Sequence, residues 1–259
     1  MRLMALAAAC AALATPPQFL LAHQAAGGGF AESGSAPSPA LTAWAALGLV
    51  AAGVGPGAAL DYLQEHEGEV TSPATRALVA LAEAALGDPT FARALPAAGG
   101  QTNTVIWTIL ARRQAGLAVP RALVRVLLDR QATSGGWSWA RGGAPDTNDT
   151  AAAVEALEAA GVRGTPVRRA LAYLGTAHNA DGGFGLLPHR ESDAQSTAWT
   201  IQAYHAAGER PPRGSLAYLR GLRLEDGSYR YSNRYAVTPV WVTAQVLPAL
   251  AGKSFPLSG

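Results

Sequence analysis

Two stretches of the chain share one pattern: RVLLDRQATSGGWSWARGGAPDTNDTAAAVEALEAAG, residues 125–161, and AYLGTAHNADGGFGLLPHRESDAQSTAWTIQAYHAAG, residues 172–208. Each begins as an apolar helical stretch and continues into a glycine-rich turn with an aromatic residue. An acidic residue and a Thr-Ala pair then begin a second apolar stretch, which ends in Ala-Ala-Gly. Alanine favours helix, and glycine directly after an apolar run is typical of a helix C-terminus. The pattern therefore predicts a hairpin of two helices.

The hairpin pattern recurs over the rest of the chain. Six copies lie near residues 15–53, 57–87, 89–116, 120–161, 166–208 and 213–252, of which the second and third are degenerate. A threonine stands near the start of each second helix, at Thr42, Thr75, Thr104, Thr150, Thr197 and Thr238. Neither end of the array has the polar terminal repeat that an open solenoid needs. We therefore expect an all-α fold, an (α/α)6 toroid of six helical hairpins with about twelve helices in two concentric layers.

Composition limits the classes of function. With 259 residues, 49% of them hydrophobic and 15% charged, the chain is large enough for one domain with a buried core, which we place at residues 15–259. The formal net charge is +2 and there is no run of Lys or Arg, which argues against a nucleic-acid partner. The histidines are scattered and no phosphate-binding or dinucleotide-binding motif is present, so no metal and no cofactor is expected.

Residues 1–14 have the pattern of a signal peptide. Arg2 precedes an apolar run, Met4–Ala11, and the three residues from Ala12 match a small-x-small cleavage site. The run is too short to span a bilayer. We therefore expect a secreted protein and not an integral membrane protein. A buried N-terminal helix and, through the single cysteine Cys10, a lipoprotein are the alternatives.

The glycine-rich turn carries a recognisable motif. Gln131, Gly135 and Trp137 form Q-x3-G-x-W, which resembles the QW motif of triterpene cyclases. Related copies run from Phe19 to Phe30, from Tyr173 to Phe184 with His in place of Gln, and from Tyr218 to Tyr229 with Arg in that place. The chain thus resembles the squalene cyclase/prenyltransferase repeat family over nearly its whole length after residue 14. We expect Gln24, Gln131, Trp137 and Phe184 to clamp one repeat to the next, because polar side chains at helix ends satisfy unpaired backbone groups.

One segment resembles a catalytic element of that family. Residues 145–151, PDTNDTA, are similar to the D-x-D-D-T-A box of class II terpene cyclases, whose middle aspartate protonates an alkene or epoxide. Here that position is Asn148, and an amide has no proton to give at a useful pKa. Asp146 and Asp149 match the flanking acids and are the candidate catalytic residues. The alternative is a helix N-cap, because Asp193 stands in the next repeat where Asp146 stands.

Aromatic residues are the candidate ligand-binding groups. Trp44, Trp107, Trp199 and Trp241 fall two or three residues after repeat threonines. The resemblance implies that second helices line the inner wall, so these tryptophans could rim an apolar cavity. Packing between repeats is the alternative. The remaining candidates are Asp193, and Tyr231 and Tyr235 in a loop of the last repeat.

The resemblance leaves several functions open. Protein prenyltransferases need Asp, Cys and His for zinc, and the segment after residue 14 has no cysteine. Our leading hypothesis is an exported, monomeric, non-catalytic ring that binds an apolar small molecule or a partner protein. The alternative is a divergent class II terpene cyclase that acts on a polyprenyl substrate. A polysaccharide-active (α/α)6 enzyme is a second alternative, by fold analogy alone.

Overall fold

The computed structural model describes residues 14–257, so all but the last residue of the predicted signal peptide lies outside the described part of the chain. Within it the helices are α1 (Pro16–Ala22), α2 (Pro39–Ala51), α3 (Ala59–Glu65), α4 (Pro73–Ala85), α5 (Thr90–Ala94), α6 (Thr102–Gln114), α7 (Arg121–Asp129), α8 (Thr147–Ala159), α9 (Thr165–Gly175), α10 (Ala194–Ala206), α11 (Ser215–Gly221) and α12 (Pro239–Leu250). A 3-10 turn covers Glu67–Glu69, and β1 (Phe184–Gly185) pairs antiparallel with β2 (Ser192–Asp193).

The even-numbered helices form a closed inner ring. Each contacts the next, from α2 through α4, α6, α8 and α10 to α12, and α12 contacts α2. The odd-numbered helices pack outside this ring, each against the even-numbered helix that precedes it, and α1 packs against α12. The predicted all-α toroid of helical hairpins is therefore confirmed.

Sequence explains which helix of each hairpin is inside. The inner helix α8 is buried almost all round by small and apolar residues, and a helix that is apolar on all faces is buried in its protein. The outer helix α7 is amphipathic. It buries Leu123 and Leu127 and exposes Arg121, Arg125 and Asp129.

Four inner helices, α6, α8, α10 and α12, are capped by the loop of the following repeat, which for α12 is the first. The first N–H groups of a helix have no partner inside the helix, and here loop carbonyl groups accept from them. The backbone bonds are Asn103 N to Trp139 O at 3.2 Å, Thr147 N to Leu186 O at 2.9 Å and Ala194 N to Tyr231 O at 2.7 Å. In the first repeat the carboxylate of Glu32 takes this role and accepts from Val240 N at 3.1 Å and Trp241 N at 2.9 Å. The first loop therefore caps the last inner helix and helps to close the ring.

Two hydrogen bonds explain the spacing of glutamine and glycine that the turns of this chain share. Gln131 Nε2 donates to Gly135 O within its own turn and to Pro166 O in the next repeat, both at 2.8 Å. Gln24 Nε2 makes the same pair of bonds, to Gly28 O at 2.9 Å and Pro56 O at 2.6 Å. These bonds give both glutamines the clamping role that the sequence predicts.

The turn aromatic residues are fixed by threonines. Their backbone N–H groups donate to a threonine Oγ1 at 2.9 Å, in the pairs Phe30–Thr42, Trp137–Thr150, Phe184–Thr197 and Tyr229–Thr243. In the sixth repeat the role belongs to Thr243. The Thr238 of the sequence prediction is instead the N-cap residue of α12, with a left-handed φ of 42°.

Candidate functional site

A small cavity of about 230 Å³ lies at the N-terminal ends of the inner helices. Every inner helix contributes to its wall. The lining residues are Trp44, Ala74, Thr75, Leu78, Asn103, Trp107, Asn148, Asp149, Ala152, Gln195, Trp199 and Gln245. Because the wall draws on the whole ring, we call this space the central cavity.

Three tryptophans meet beside the central cavity. The ring centroids of Trp44, Trp107 and Trp199 are 5.4, 5.5 and 5.8 Å apart, and each pair is packed edge to face. This geometry suits the aromatic quadrupole. The three residues come from α2, α6 and α10, which alternate around the inner ring, so they fill much of its centre.

The tryptophans also orient two amides. The indole N–H can only donate, so the atom of Asn103 that lies 2.9 Å from Trp107 Nε1 is the oxygen. Its other atom, Nδ2, then donates to Asp149 Oδ1 at 3.0 Å. Trp199 Nε1 fixes Gln245 in the same way, at 2.8 Å from Oε1.

Two polar atoms of lining residues have no partner. Gln245 Oε1 also accepts from Gln195 Nε2 at 3.1 Å, which leaves Gln245 Nε2 without an acceptor in the described part of the chain. Asn148 Oδ1 is likewise buried and lacks a donor there. A buried polar group without a partner costs about 1–3 kcal/mol, so both atoms call for an explanation.

Asp146 and Asp149 have different roles. Asp146 is the N-cap of α8 and accepts from Asp149 N at 2.8 Å, as the capping interpretation predicts. Burial raises its pKa. Burial, followed by the neighbouring Asp146, raises the pKa of Asp149 to about 7, while the bond from Asn103 opposes this increase. Asp149 lines the central cavity and can therefore hold a proton there near neutral pH.

Three predicted binding residues lie elsewhere. Asp193, Tyr231 and Tyr235 line a surface groove of about 480 Å³. Asp193 is the N-cap of α10: Oδ1 accepts from Ser196 N at 2.7 Å and Oδ2 from Ser196 Oγ at 2.8 Å. Burial raises the pKa of Asp193 to about 6. Its capping bonds occupy both oxygens, which explains its position without a ligand.

The fourth predicted tryptophan is outside the central cavity. Trp241 lines an apolar groove of about 440 Å³ together with Leu41 and one side of Trp44. Trp241 thus lies apart from the space that the other three tryptophans line, and its backbone N–H donates to Glu32 Oε1 at 2.9 Å.

Sequence reasoning missed three amides of the central cavity. Asn103 and Gln195 each stand four residues before a tryptophan, and Gln245 stands four residues after one. Residues four apart lie on the same face of a helix. That spacing is the signal that could have identified them.

Between residues 14 and 257, no group of three or more His, Cys, Asp or Glu residues is placed to hold a metal ion. No helix in this range is long and apolar enough to cross a membrane.

Known structures share this fold. A protein from Actinoplanes is 21% identical, with a TM-score of 0.66 over 92% of this chain and 97% of its own. The type II terpene cyclase MstE from Scytonema is 16% identical, with a TM-score of 0.61 over 91% and 95%. A glycosidase is 14% identical, with a TM-score of 0.60 over 92% and 95%. No family model and no curated protein sequence matches the chain.

These likenesses establish the toroid fold alone and do not establish a function. A terpene cyclase and a glycosidase catalyse unrelated reactions on closely similar rings. The function of this chain must therefore be argued from its own cavity.

Proposed function

We propose that the chain is a non-catalytic binding ring, which holds a small hydrogen-bonding ligand in its central cavity. The observation that carries the proposal is the pair of unpartnered buried atoms, Asn148 Oδ1 and Gln245 Nε2. One is an acceptor and the other is a donor. A ligand with a hydroxyl or amide group in the cavity supplies both missing partners.

The chemistry of the wall refines the sequence expectation of an apolar ligand. Beside the tryptophans, the wall holds four amides and one carboxyl group: Asn103, Asn148, Gln195, Gln245 and Asp149. Polar groups placed in an otherwise aromatic pocket fix the orientation of a ligand. We therefore favour a ligand that stacks on indole rings and also forms hydrogen bonds.

The size of the cavity supports a small ligand. Its volume of about 230 Å³ is below the range of roughly 300–1,000 Å³ typical of pockets for drug-sized molecules. Trp44, Trp107 and Trp199 occupy the space that a long chain would need. Both facts count against a polyprenyl substrate. The signal-peptide pattern at residues 1–14 supports a place outside the cytoplasm for the ring, which we propose acts as a monomer.

A second candidate function rests on Asp149. Its pKa of about 7 and its place in the cavity wall suit a general acid, as in a divergent class II cyclase. The polysaccharide-active alternative has less support. Glycosidases use two carboxyl groups across the substrate, and among the described residues Asp149 is the only acidic one that lines the central cavity.

Native mass spectrometry of the purified protein tests the binding function. We expect a small molecule to co-purify with the wild type and to be lost in Asn148→Leu, a change of similar size that removes the unpartnered acceptor. Asn233→Leu, on the surface, is the matched control and should retain the ligand. Ligand loss in neither variant, or in both, would contradict the proposal.

A second assay separates binding from catalysis. The protein is incubated with squalene, oxidosqualene and geranylgeranyl diphosphate, and the extract is analysed by gas chromatography–mass spectrometry. We expect no cyclised product. A product that disappears in Asp149→Asn would establish the cyclase alternative in place of the binding ring.

A further inference from the structure

The segment after α12 crosses the other end of the ring. Gly252, with a φ of 65°, ends the helix, and Lys253 N donates to Pro248 O at 2.9 Å. We call residues Lys253–Leu257 the strap. It leaves the sixth repeat and reaches α6 and α8, which belong to the third and fourth repeats. Five residues span at most roughly 17 Å, and the third repeat stands opposite the sixth in a six-membered ring.

Two side chains of the ring bind the main chain of the strap. Gln114, the last residue of α6, donates from Nε2 to Leu257 O at 3.0 Å and accepts from Leu257 N at 2.6 Å. Glu155, in the middle of α8, accepts from the N–H of Phe255. The bonds from Gln114 copy the reciprocal pairing of two strands in a sheet. Main-chain bonds of this kind do not depend on the side chains of the bound peptide.

Alternate side chains of the strap enter the ring. Phe255 is 2% exposed and Leu257 is 7% exposed, whereas Ser254 and Pro256 are half-buried. The ring of Phe255 lies 5.9 Å from the indole of Trp199, and both residues belong to the same hydrophobic core. The strap therefore has two apolar anchors in addition to its main-chain bonds.

Without the strap, burial of the Glu155 carboxyl group would be unfavourable for the folded ring. The residue is completely buried, its Oε1 has no partner within residues 14–257, and no ion pair of the described chain includes it. The N–H of Phe255 is the group that binds its other oxygen. The carboxyl group of Glu155 therefore has one hydrogen-bond partner, which the strap supplies, and one oxygen that is available to a further main-chain N–H donor.

We propose that this end of the ring is a binding site for a peptide with the pattern Phe-x-Leu, and that the strap occupies the site within the same chain. Gln114 and Glu155 bind the main chain of the peptide, and the apolar core of the ring takes the two side chains. The site lies at the other end of the ring from the central cavity, with Trp199 in contact with both, and the inference does not rest on the ligand proposed there.

The test begins with the full chain. A protease site is inserted after Gly252, the folded protein is cut, and the sample is passed over a size-exclusion column. We expect the released strap to co-elute with the ring, and a labelled synthetic peptide of residues 253–259 to replace it saturably. The proposal is overturned if the strap separates and the labelled peptide does not bind. Loss of helical circular dichroism on cutting also overturns it, because the strap would then be part of the folding core.

Sequence recognition is measured on the same cut protein. A peptide with Phe255→Ala and a ring with Gln114→Leu should each bind about tenfold more weakly, since each loses a buried anchor or a buried bond pair. A peptide with Ser254→Ala is the matched control and should bind as the native peptide does. Equal affinity of the Phe255→Ala peptide would show that the site does not recognise the pattern.

Discussion

Trp107 Nε1 lies 2.9 Å from Asn103 Oδ1, one helical turn away on α6, and this bond decides how Asp149 is held. Because the indole N–H accepts nothing, it turns the amide oxygen of Asn103 toward itself and the amide N–H toward Asp149. A residue of the aromatic cluster thereby acts on the pKa of Asp149, which burial and Asp146 raise and the bond from Asn103 lowers. The first prediction follows from this relationship.

Trp107→Phe should raise the pKa of Asp149 above its value of about 7. The ring is retained, but Asn103 is no longer fixed and its N–H no longer holds the carboxylate. Loss of this bond should raise the pKa by about one unit, equivalent to about 1.4 kcal/mol. A carbon-13 NMR titration of the aspartates measures it. Trp199→Phe, which frees Gln245 instead, is the control. An equal pKa in Trp107→Phe and the wild type would refute the role assigned to the indole.

Stability should fall as pH rises through the range where Glu83 titrates. Burial, followed by Glu67 and Asp88, raises the pKa of Glu83 from 4.5 to about 8. The folded protein therefore holds a proton that the unfolded chain releases, and the associated stability is lost between these two pH values. Urea unfolding at pH 5 and pH 8 should show the wild type losing at least about 1.4 kcal/mol, the equivalent of one pKa unit.

The variant Glu83→Gln tests whether Glu83 causes this pH dependence. The amide does not titrate, so the variant should lose clearly less stability than the wild type over the same pH range. Glu65→Gln, on an exposed position of α3, should behave as the wild type does. If the two variants lost the same amount of stability between pH 5 and pH 8, the pH dependence would have to come from other groups.

Gly135→Ala should destabilise the ring far more than Gly142→Ala. Both glycines have a left-handed φ, 98° and 79°, so any side chain adds backbone strain of roughly 1–2 kcal/mol. At Gly142 a Cβ meets open space, whereas at Gly135 it would lie 2.4 Å from Arg169 O. Chemical unfolding should therefore give a loss of about 3 kcal/mol or more for Gly135→Ala. Equal losses would show that the turn does not need this close approach to the next repeat.

Glu32→Ala should loosen the start of α12. The carboxylate accepts from two backbone N–H groups at that helix end, and loss of a capping side chain costs about 0.5–2 kcal/mol. Hydrogen exchange should accelerate at Val240 and Trp241 and remain unchanged at the start of α8, which Asp146 caps. Acceleration at both helices would indicate general destabilisation instead of a lost cap.

The sequence predicts the ring better than it predicts the site. The spacing of Gln131, Gly135 and Trp137 is a local requirement of one turn, so it can be recognised in the sequence of similar turns in other repeats. The position of the Trp44, Trp107 and Trp199 cluster follows from the same repeat. The orientation of Gln245 does not, because it depends on Trp199 of a neighbouring helix. The contact between Glu155 and Phe255 likewise joins residues that no repeat relates.

The loop that caps the last inner helix comes from the first repeat, where Glu32 accepts from Val240 N and Trp241 N. The first and sixth repeats therefore complete each other, and a nascent chain that lacks the sixth repeat has neither bond. Closure depends on pairs separated by about two hundred residues, which favours slow and cooperative folding. An open row of hairpins could fold one unit at a time during synthesis, whereas this ring cannot close until α12 has been synthesised.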